Sequence, residues 1–272
     1  MVSQRQLMEN SAARYLIVPE LQSRYHGAMV VGVYGLGRFG AFWATLLARR
    51  FSVIGHNRTA RGAAPDGVTL VSLDGLVEAD TIFLCTAISA TETVLNELSP
   101  LLRPGTTVID TCSVKVYPVD LMKRLLPPNT HILGSHPMFG PDSARNGIQG
   151  LPIILSPVRA PESVNLYWEK QFLDMQLTVH TMTPEAHDRE AAYTQGITHF
   201  IGRVLKDLEL RPSAIGTLGY RKLLEVMEQT CNDPWQLFVD LQRFNPYTGE
   251  MRSQLRGAVE RIVEHFSDPA RG

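Results

Sequence analysis

The sequence predicts an α/β domain built on a parallel sheet and followed by an all-helical C-terminal domain. Three observations predict it. Short, β-branched-rich apolar runs recur between helix-like stretches as far as about residue 182; a Gly-x-Gly-x-x-Gly turn follows the first of these runs; and after Thr183 the runs stop and only helical periodicity remains. Continuous apolar strands that alternate with helices indicate a parallel sheet covered on both faces.

Taken in order, residues 1–28 read as an N-terminal extension. It has a short helix carrying Leu7, Ala12, Tyr15 and Leu16 on one side, then a connector over 19–27, together a surface appendage. Residues 29–182 form the sheet domain. Its strands are expected at MVVGVYG (29–35), FSVIGHN (51–57), GVTLVS (67–72), TIFLCTA (81–87), TTVIDTC (106–112), THILGSH (130–136) and LPIILSP (151–157), with an eighth extended piece over 176–182. Helices are expected between them at 42–50, 92–101, 119–126 and 162–173. Residues 183–272 form the helical domain, with helices at 184–208, 213–230, 233–244 and 249–266. Pro184 sits at a helix start, where its missing N–H costs nothing, and Glu185 complements the dipole of the first turn. Pro212, Pro234 and Pro246 punctuate the remainder.

The chain of 272 residues is 44% hydrophobic and 19% charged, and 26 Lys+Arg against 27 Asp+Glu leave a net charge of −1. This balance argues against a nucleic-acid partner held by bulk charge, since such proteins carry a basic excess. Cys85, Cys112 and Cys231 are odd in number and widely spaced, with neither CxxC nor HxxxH nearby, which fits reduced thiols and no metal site. No uncharged apolar run approaches the ~18 residues of a membrane span. The first residues also lack the apolar core of a secretory signal. The expectation is a soluble cytoplasmic protein with no nucleic-acid or membrane partner.

Gly35-Leu36-Gly37-Arg38-Phe39-Gly40 follows a strand and opens a helix. In a Rossmann-type dinucleotide-binding domain the first glycine permits the tight turn, the second lets backbone approach the pyrophosphate, and the third lets helix lie on strand. Strand, motif, helix and second strand come here in that order. At the end of the second strand an NAD site places an acid on the ribose 2′-hydroxyl. This chain has Asn57-Arg58-Thr59 instead: a guanidinium for a 2′-phosphate, flanked by neutral donors. The cofactor expected is therefore NADP, bound by residues 35–40, Asn57, Arg58, Thr59 and, at the end of the fourth strand, Thr86 and Ala87.

Two further segments lie at strand ends, where open α/β sheets hold ligands: Asp110-Thr111-Cys112-Ser113-Val114-Lys115 and Gly134-Ser135-His136-Pro137-Met138-Phe139-Gly140-Pro141. A neutral imidazole at His136 takes a hydroxyl proton while hydride leaves the same carbon, and Ser113 holds that hydroxyl in place. The alternative for His136 is a satisfied loop histidine. Lys115 reads either as a contact to cofactor phosphate or substrate carboxylate, or as a solvated lysine. Trp43, Trp168 and Trp235 read as packing residues, and Cys112 as core.

GSHPMFGP with the upstream DTCSVK resembles the prephenate/arogenate dehydrogenase family. His187-Asp188, Thr194-Gln195, Thr198-His199 and Ile201-Gly202-Arg203 are similar to that family's helical domain, nearest the plant-type arogenate enzymes. The likeness spans about residues 29–245. It implies oxidation of a 4-hydroxycyclohexadienyl carboxylate with loss of CO₂, a step of tyrosine biosynthesis in which aromatisation supplies the driving force. It implies His136 as the catalytic histidine, Ser113 as its partner, Gln195, His199 and Arg203 on the substrate side, and a homodimer through the helical domain. Asp188 reads as a carboxylate that favours the ammonium of arogenate over the keto group of prephenate, or else as a cap on the first turn of its own helix. Two departures stand out. Some members have His-Leu-Pro-His where this chain has His199-Phe200-Ile201-Gly202, and Gln229 stands eight residues after Arg221, where bacterial prephenate enzymes carry an arginine.

Two other functions fit part of the pattern. A β-hydroxyacid dehydrogenase also joins a Gly-Leu-Gly turn to a helical domain, but needs a lysine on the first long helix, where this chain has only the late Lys206. A non-catalytic NADP sensor would bind cofactor without turnover, which the Ser113–His136 pair argues against.

Overall fold

The computed structural model describes residues 29–59 and 62–267, so the helix expected within residues 1–28 lies outside the described residues. The chain folds as two compact units. A sheet unit holds the chain up to Thr86, then Ala90–Ser113 and Pro118–Thr183; a helical unit holds Ala87–Ser89, Val114–Tyr117 and the chain from Pro184 onward. A division into consecutive stretches misses the two short segments, each of which follows a strand end.

Eight strands, β1 (Val30–Tyr34), β2 (Ser52–His56), β3 (Val68–Leu70), β4 (Thr81–Leu84), β5 (Thr107–Asp110), β6 (His131–Pro137), β7 (Pro152–Arg159) and β8 (Thr178–Thr181), form one sheet in the order β3-β2-β1-β4-β5-β6-β7-β8. The order reverses between β1 and β4, and the crevice at such a switch point is where doubly wound sheets take their ligands. The helices of this region are α1 (Arg38–Ala48), α2 (Leu73–Leu76), α3 (Thr91–Leu98), α4 (Val116–Leu125) and α5 (Glu162–Asp174). Gly40, Trp43, Ala44 and Leu47 recur at helical spacing along α1 and are its buried face. Trp43, fully buried, stands among the rings of Phe39, Phe83, Phe139 and Phe172.

The sheet is not purely parallel, as the apolar runs had suggested. β6 and β7 pair antiparallel, with Leu133 opposite Pro157 and Pro137 opposite Ile153, while β7 and β8 pair parallel. Residues 138–151, between β6 and β7, make turns and no crossover helix. Parallel neighbours need such a crossover, so the direct return is antiparallel.

The helical unit contains α6 (Pro184–Ala191), a π-helical turn (Ala192–Gly196), α7 (Ile197–Asp207), α8 (Leu218–Cys231), α9 (Trp235–Phe244) and α10 (Thr248–Ser267). The single helix expected over 184–208 is thus interrupted. The Thr194 hydroxyl donates to the Glu190 carbonyl at 2.9 Å and that of Thr198 to the Thr194 carbonyl at 2.7 Å, competing with helical N–H groups for those acceptors. α8 starts at Leu218 and not at 213, because Thr217 is its cap: Thr217 Oγ1 accepts from Tyr220 N at 3.2 Å. Among the described residues no helix is long and apolar enough to cross a membrane.

Candidate active site

At the end of β1 the chain turns at Gly35, φ +95°, whose N–H donates to the His56 carbonyl at 2.8 Å. A Cβ there would lie 2.6 Å from the Cys85 carbonyl oxygen, and a Cβ on Gly40 would run into the Gly35 carbonyl, so both positions demand glycine. Gly37 differs. It caps α1 without any side-chain bond, and among the described residues nothing lies within 4 Å of where its Cβ would stand. The positive end of α1 therefore opens on clear space, the setting an anionic diphosphate takes. The residues present fit a dinucleotide.

Around this turn the side chains depart from expectation. Asn57 Oδ1 accepts the Leu36 N–H at 2.6 Å and ties β2 to the turn, a bond that leaves the expected donor, Nδ2, unused. The Arg38 guanidinium forms an ion pair with Asp142, in the turn after β6, and Phe39 stacks on Trp43 at 6.0 Å. What Arg38 and Phe39 leave for a cofactor is chiefly backbone. Arg58 and Thr59 are exposed just beyond β2. The Arg58 charge reaches the end of β1: burial, with the Glu97 hydrogen bond and charge, pushes the Tyr34 phenol above its ordinary pKa, and Arg58 pulls it back. Thr86 and Ala87 follow β4, half-buried and exposed respectively. Burial pushes the neighbouring Cys85 thiol up to about 12, which keeps it protonated.

Ser113 and His136 come from adjacent parallel strands. Asp110 of β5 stands opposite Gly134 of β6, so one follows its strand's partner residue by three positions and the other by two. The Ser135 hydroxyl bonds the Asp110 carbonyl at 2.6 Å and ties the two strand ends together. His136 is 3% exposed and lies within β6, not in a loop. Ser113 is buried, and its Oγ has no hydrogen-bond partner among the described residues. The hydroxyls of Thr81, Thr107, Thr130 and Ser156 are likewise unpartnered among the described residues; Ser113 differs in following the carboxyl end of a parallel strand, where open α/β sheets hold ligands.

In the helical unit, Gln195 lies in the π turn and His199 one turn further, on α7. Gln195 Oε1 and His199 Nδ1 are both buried without a partner among the described residues. His199 Nε2 lies 3.8 Å from Asp233 Oδ2. Burial lowers the His199 pKa, Asp233 opposes the shift, and Arg203 adds to it.

Of the other expected substrate contacts, Asp188 is corrected, while Arg203 keeps a buried Nε without a partner among the described residues. The Asp188 carboxylate is fully buried: it accepts the N–H groups of Lys115 at 2.6 Å and Val116 at 2.9 Å, with His187 Nδ1 at 2.8 Å. It caps the start of α4, not the first turn of its own helix, and has no face left for a substrate ammonium. Lys115 is fully buried, which overturns its solvated reading. Arg203 donates through Nη2 to the carbonyls of Thr230 (3.2 Å) and Asp233 (2.8 Å) and lies over the rings of Trp235 and Phe238. It ties the end of α8 to α9. Trp235, expected as a packing residue, is 62% exposed, whereas Trp43 and Trp168 are buried. At Gly202 a Cβ would collide with Thr230 Oγ1, so the crossing of α7 and α8 leaves no room for the second histidine some relatives carry.

Three residues escaped the sequence reading: Asp233, Asp240 and Asn245. Asp240 is buried, and its Oδ2 accepts both the N–H (3.0 Å) and the hydroxyl (2.8 Å) of Ser89. Asn245 Nδ2 donates to the Asp188 carbonyl at 2.8 Å. The available signal was a carboxylate at 240 amid Leu237, Leu241 and Phe244, since a charge on an apolar stripe implies a buried partner.

Residues 56–175 match the family model described as prephenate dehydrogenase, nucleotide-binding domain, and residues 204–271 that described as TYRAAT1-like, C-terminal domain. The chain is 34% identical over 261 residues to arogenate dehydrogenase 2, chloroplastic, of Arabidopsis thaliana, covering 91% of this chain and 73% of that one. It is 35% identical over 244 residues to arogenate dehydrogenase 1, chloroplastic, of the same plant, covering 85% of this chain and 38% of that one. In fold it is similar to prephenate dehydrogenase from A. aeolicus in complex with hydroxyphenyl propionate and NAD+, with a TM-score of 0.70 and 18% identity over 89% of this chain and 91% of that one. It is also similar in fold to Synechocystis arogenate dehydrogenase, with a TM-score of 0.62 and 22% identity over 89% and 95%.

Proposed function

We propose a reaction from one premise: the chain belongs to the prephenate/arogenate dehydrogenase family. It is an oxidoreductase with a nucleotide-binding domain for a nicotinamide cofactor. The finer reading is NADP-dependent oxidative decarboxylation of a cyclohexadienyl carboxylate, L-arogenate in preference to prephenate. The observation that carries its oxidation step, common to both acids, is the buried, unpartnered Ser113 hydroxyl on the strand end beside that of His136.

A nicotinamide dinucleotide held at the turn of residues 35–40 would supply the hydride acceptor for C4. Ser113 orients the C4 hydroxyl by hydrogen bond, and His136 takes its proton as the C–O double bond forms. The ring carboxylate then leaves as CO₂, its bonding pair flows through the ring to the oxygen, and reprotonation of that oxygen gives the phenol. Gln195 and His199 are the polar groups proposed to bind substrate from the helical unit. With Asp188 sealed, Asp233, 33% exposed beside His199, is the carboxylate that suits an ammonium-bearing substrate. Arg58, with no acid among Asn57, Arg58 and Thr59, supports NADP over NAD.

The partner proposed is a second copy of this chain, bound through the helical unit. Val259, Ile262 and Phe266 leave an exposed apolar stripe along α10, and sedimentation is expected to read twice 30.3 kDa. The three free thiols fit a reducing compartment, for which the cytoplasm is proposed. The deciding assay mixes the purified chain with NADP or NAD and with arogenate or prephenate, and follows the absorbance of reduced nicotinamide. Turnover of neither acid overturns the reading.

A further inference from the structure

The two segments of the helical unit that follow strand ends are each held by a buried carboxylate. Ala87–Ser89 continues directly from Thr86 after β4, and Val114–Tyr117 continues directly from Ser113 after β5. Asp188 accepts the N–H groups of Lys115 and Val116, two and three residues past Ser113. Asp240 accepts the N–H and hydroxyl of Ser89, three residues past Thr86, and its other oxygen accepts from Gln236 Nε2 at 2.6 Å. Asp188 is 0% exposed and Asp240 2%. A carboxylate buried this deeply persists because its lone pairs are filled, for Asp188 by two backbone N–H groups and His187, for Asp240 by one backbone N–H, the Ser89 hydroxyl and Gln236.

We infer that Asp188 and Asp240 are positioning residues, each fixing one strand-end turn: Asp188 the turn that carries Ser113, and Asp240 the turn that carries Thr86 and Ala87. This rests on the reading of those turns as the substrate-hydroxyl and cofactor turns. The two carboxylates then govern different kinetic parameters. Asp188 acts on turnover, because it sets where the Ser113 hydroxyl stands. Asp240 acts on cofactor affinity, because it sets where the turn after β4 stands. A general structural role would lower stability and affect both parameters alike.

The experiment compares Asp188→Asn, Ser89→Ala and Asp188→Asn combined with Ser113→Ala, measuring kcat, KM for NADP, and NADP binding without substrate. Asp188→Asn is expected to lower kcat by about 10- to 100-fold, the scale of a small misplacement at a reacting group, with NADP binding nearly unchanged. On top of Ser113→Ala, the same substitution is expected to cost little more, since both losses pass through one hydroxyl. Ser89→Ala removes one bond to Asp240 and is expected to weaken NADP binding by about 2- to 10-fold, more than it lowers kcat. Additive losses in the double variant, or an Asp188→Asn effect as large on NADP binding as on kcat, overturn the inference, as does unaltered NADP binding in Ser89→Ala. Should Asp188→Asn fail to fold, the Ser89→Ala measurement still decides the Asp240 anchor. Should the unsubstituted chain bind NADP but turn over neither acid, the reaction is wrong, and the Ser89→Ala binding arm separates that failure from failure of the anchor.

Discussion

In the sheet unit one apolar cluster runs from Met29 to Leu177 and includes Trp43, Phe83, Ile109, Trp168 and Phe172. Among the described residues of the helical unit, buried positions are more often polar than apolar: Lys115, His187, Asp188, His199, Thr230, Asp240, Asn245 and Thr248 are buried, against Ile88, Val114, Ala191, Ala192, Leu241 and Met251. The surfaces differ in the opposite sense. Among the described residues, large exposed apolar side chains in the sheet unit are Leu70, Leu101 and Leu173; the helical unit has eleven, among them Leu208, Ile215, Trp235, Ile262 and Phe266. A domain that buries apolar area draws its stability from a non-directional term. One that buries carboxylates and histidines depends on directional bonds and on pH. The sheet unit thus gains most from burial that does not depend on pH, and the helical unit from bonds that do.

The largest expected effect lies in the sheet unit. His136→Asn should lower turnover by about 10²–10⁴-fold and leave NADP binding intact, because the diphosphate turn at residues 35–40 is separate from β6. Steady-state kinetics and a cofactor titration check this, and a loss of NADP binding would make His136 a structural residue. Next is cofactor choice, in the same unit: Arg58→Ala should raise KM for NADP by about 10- to 150-fold, the range of a charge-assisted hydrogen bond, with NAD little affected. Equal use of both cofactors by the unsubstituted chain would break the assignment.

Effects in the helical unit should be smaller. Asp233→Asn is expected to lower the ratio of kcat/KM for arogenate over prephenate by about two- to fivefold, the scale of a partly exposed ion pair. An unchanged ratio removes Asp233 from substrate choice. The smallest effect is acid lability. Burial depresses the His199 pKa, so below the ordinary ~6.5 of histidine the unfolded chain binds a proton that the folded one refuses. The stability this neutral histidine retains is complete above ~6.5 and falls as pH drops toward its lowered folded value. Thermal unfolding from neutral pH to about pH 5 should show that loss, and His199→Gln should flatten it.

Much of the sheet unit is legible in the chain because its signals are local. Eight β-branched runs mark eight strands, and the spacing of Gly35, Gly37 and Gly40 marks a turn whose backbone excludes side chains at the first and third positions. The position of Ser113 and His136 past neighbouring strands follows from the same reading. The helical unit is less legible. Periodicity locates its helices to within a few residues but misses the π turn at Ala192–Gly196, since Ala-Tyr-Thr-Gln-Gly reads as ordinary helix.

The sequence by itself determined where most strands and helices form, where a glycine turn follows the first strand, and that a hydroxyl and an imidazole stand near the ends of adjacent strands. These depend on side-chain periodicity and on the conformational freedom of glycine, both set within a few residues. Only the tertiary structure decided the antiparallel return of β7 and what each polar side chain bonds. Asp188 finds its N–H partners 72 and 73 residues away, Asp240 meets Ser89 across 151, and Asn57 meets Leu36 across 21. A carboxylate is written the same way in a sequence whether it faces water, a substrate ammonium or a buried backbone N–H. Which of these it meets depends on groups brought together only when the chain closes on itself.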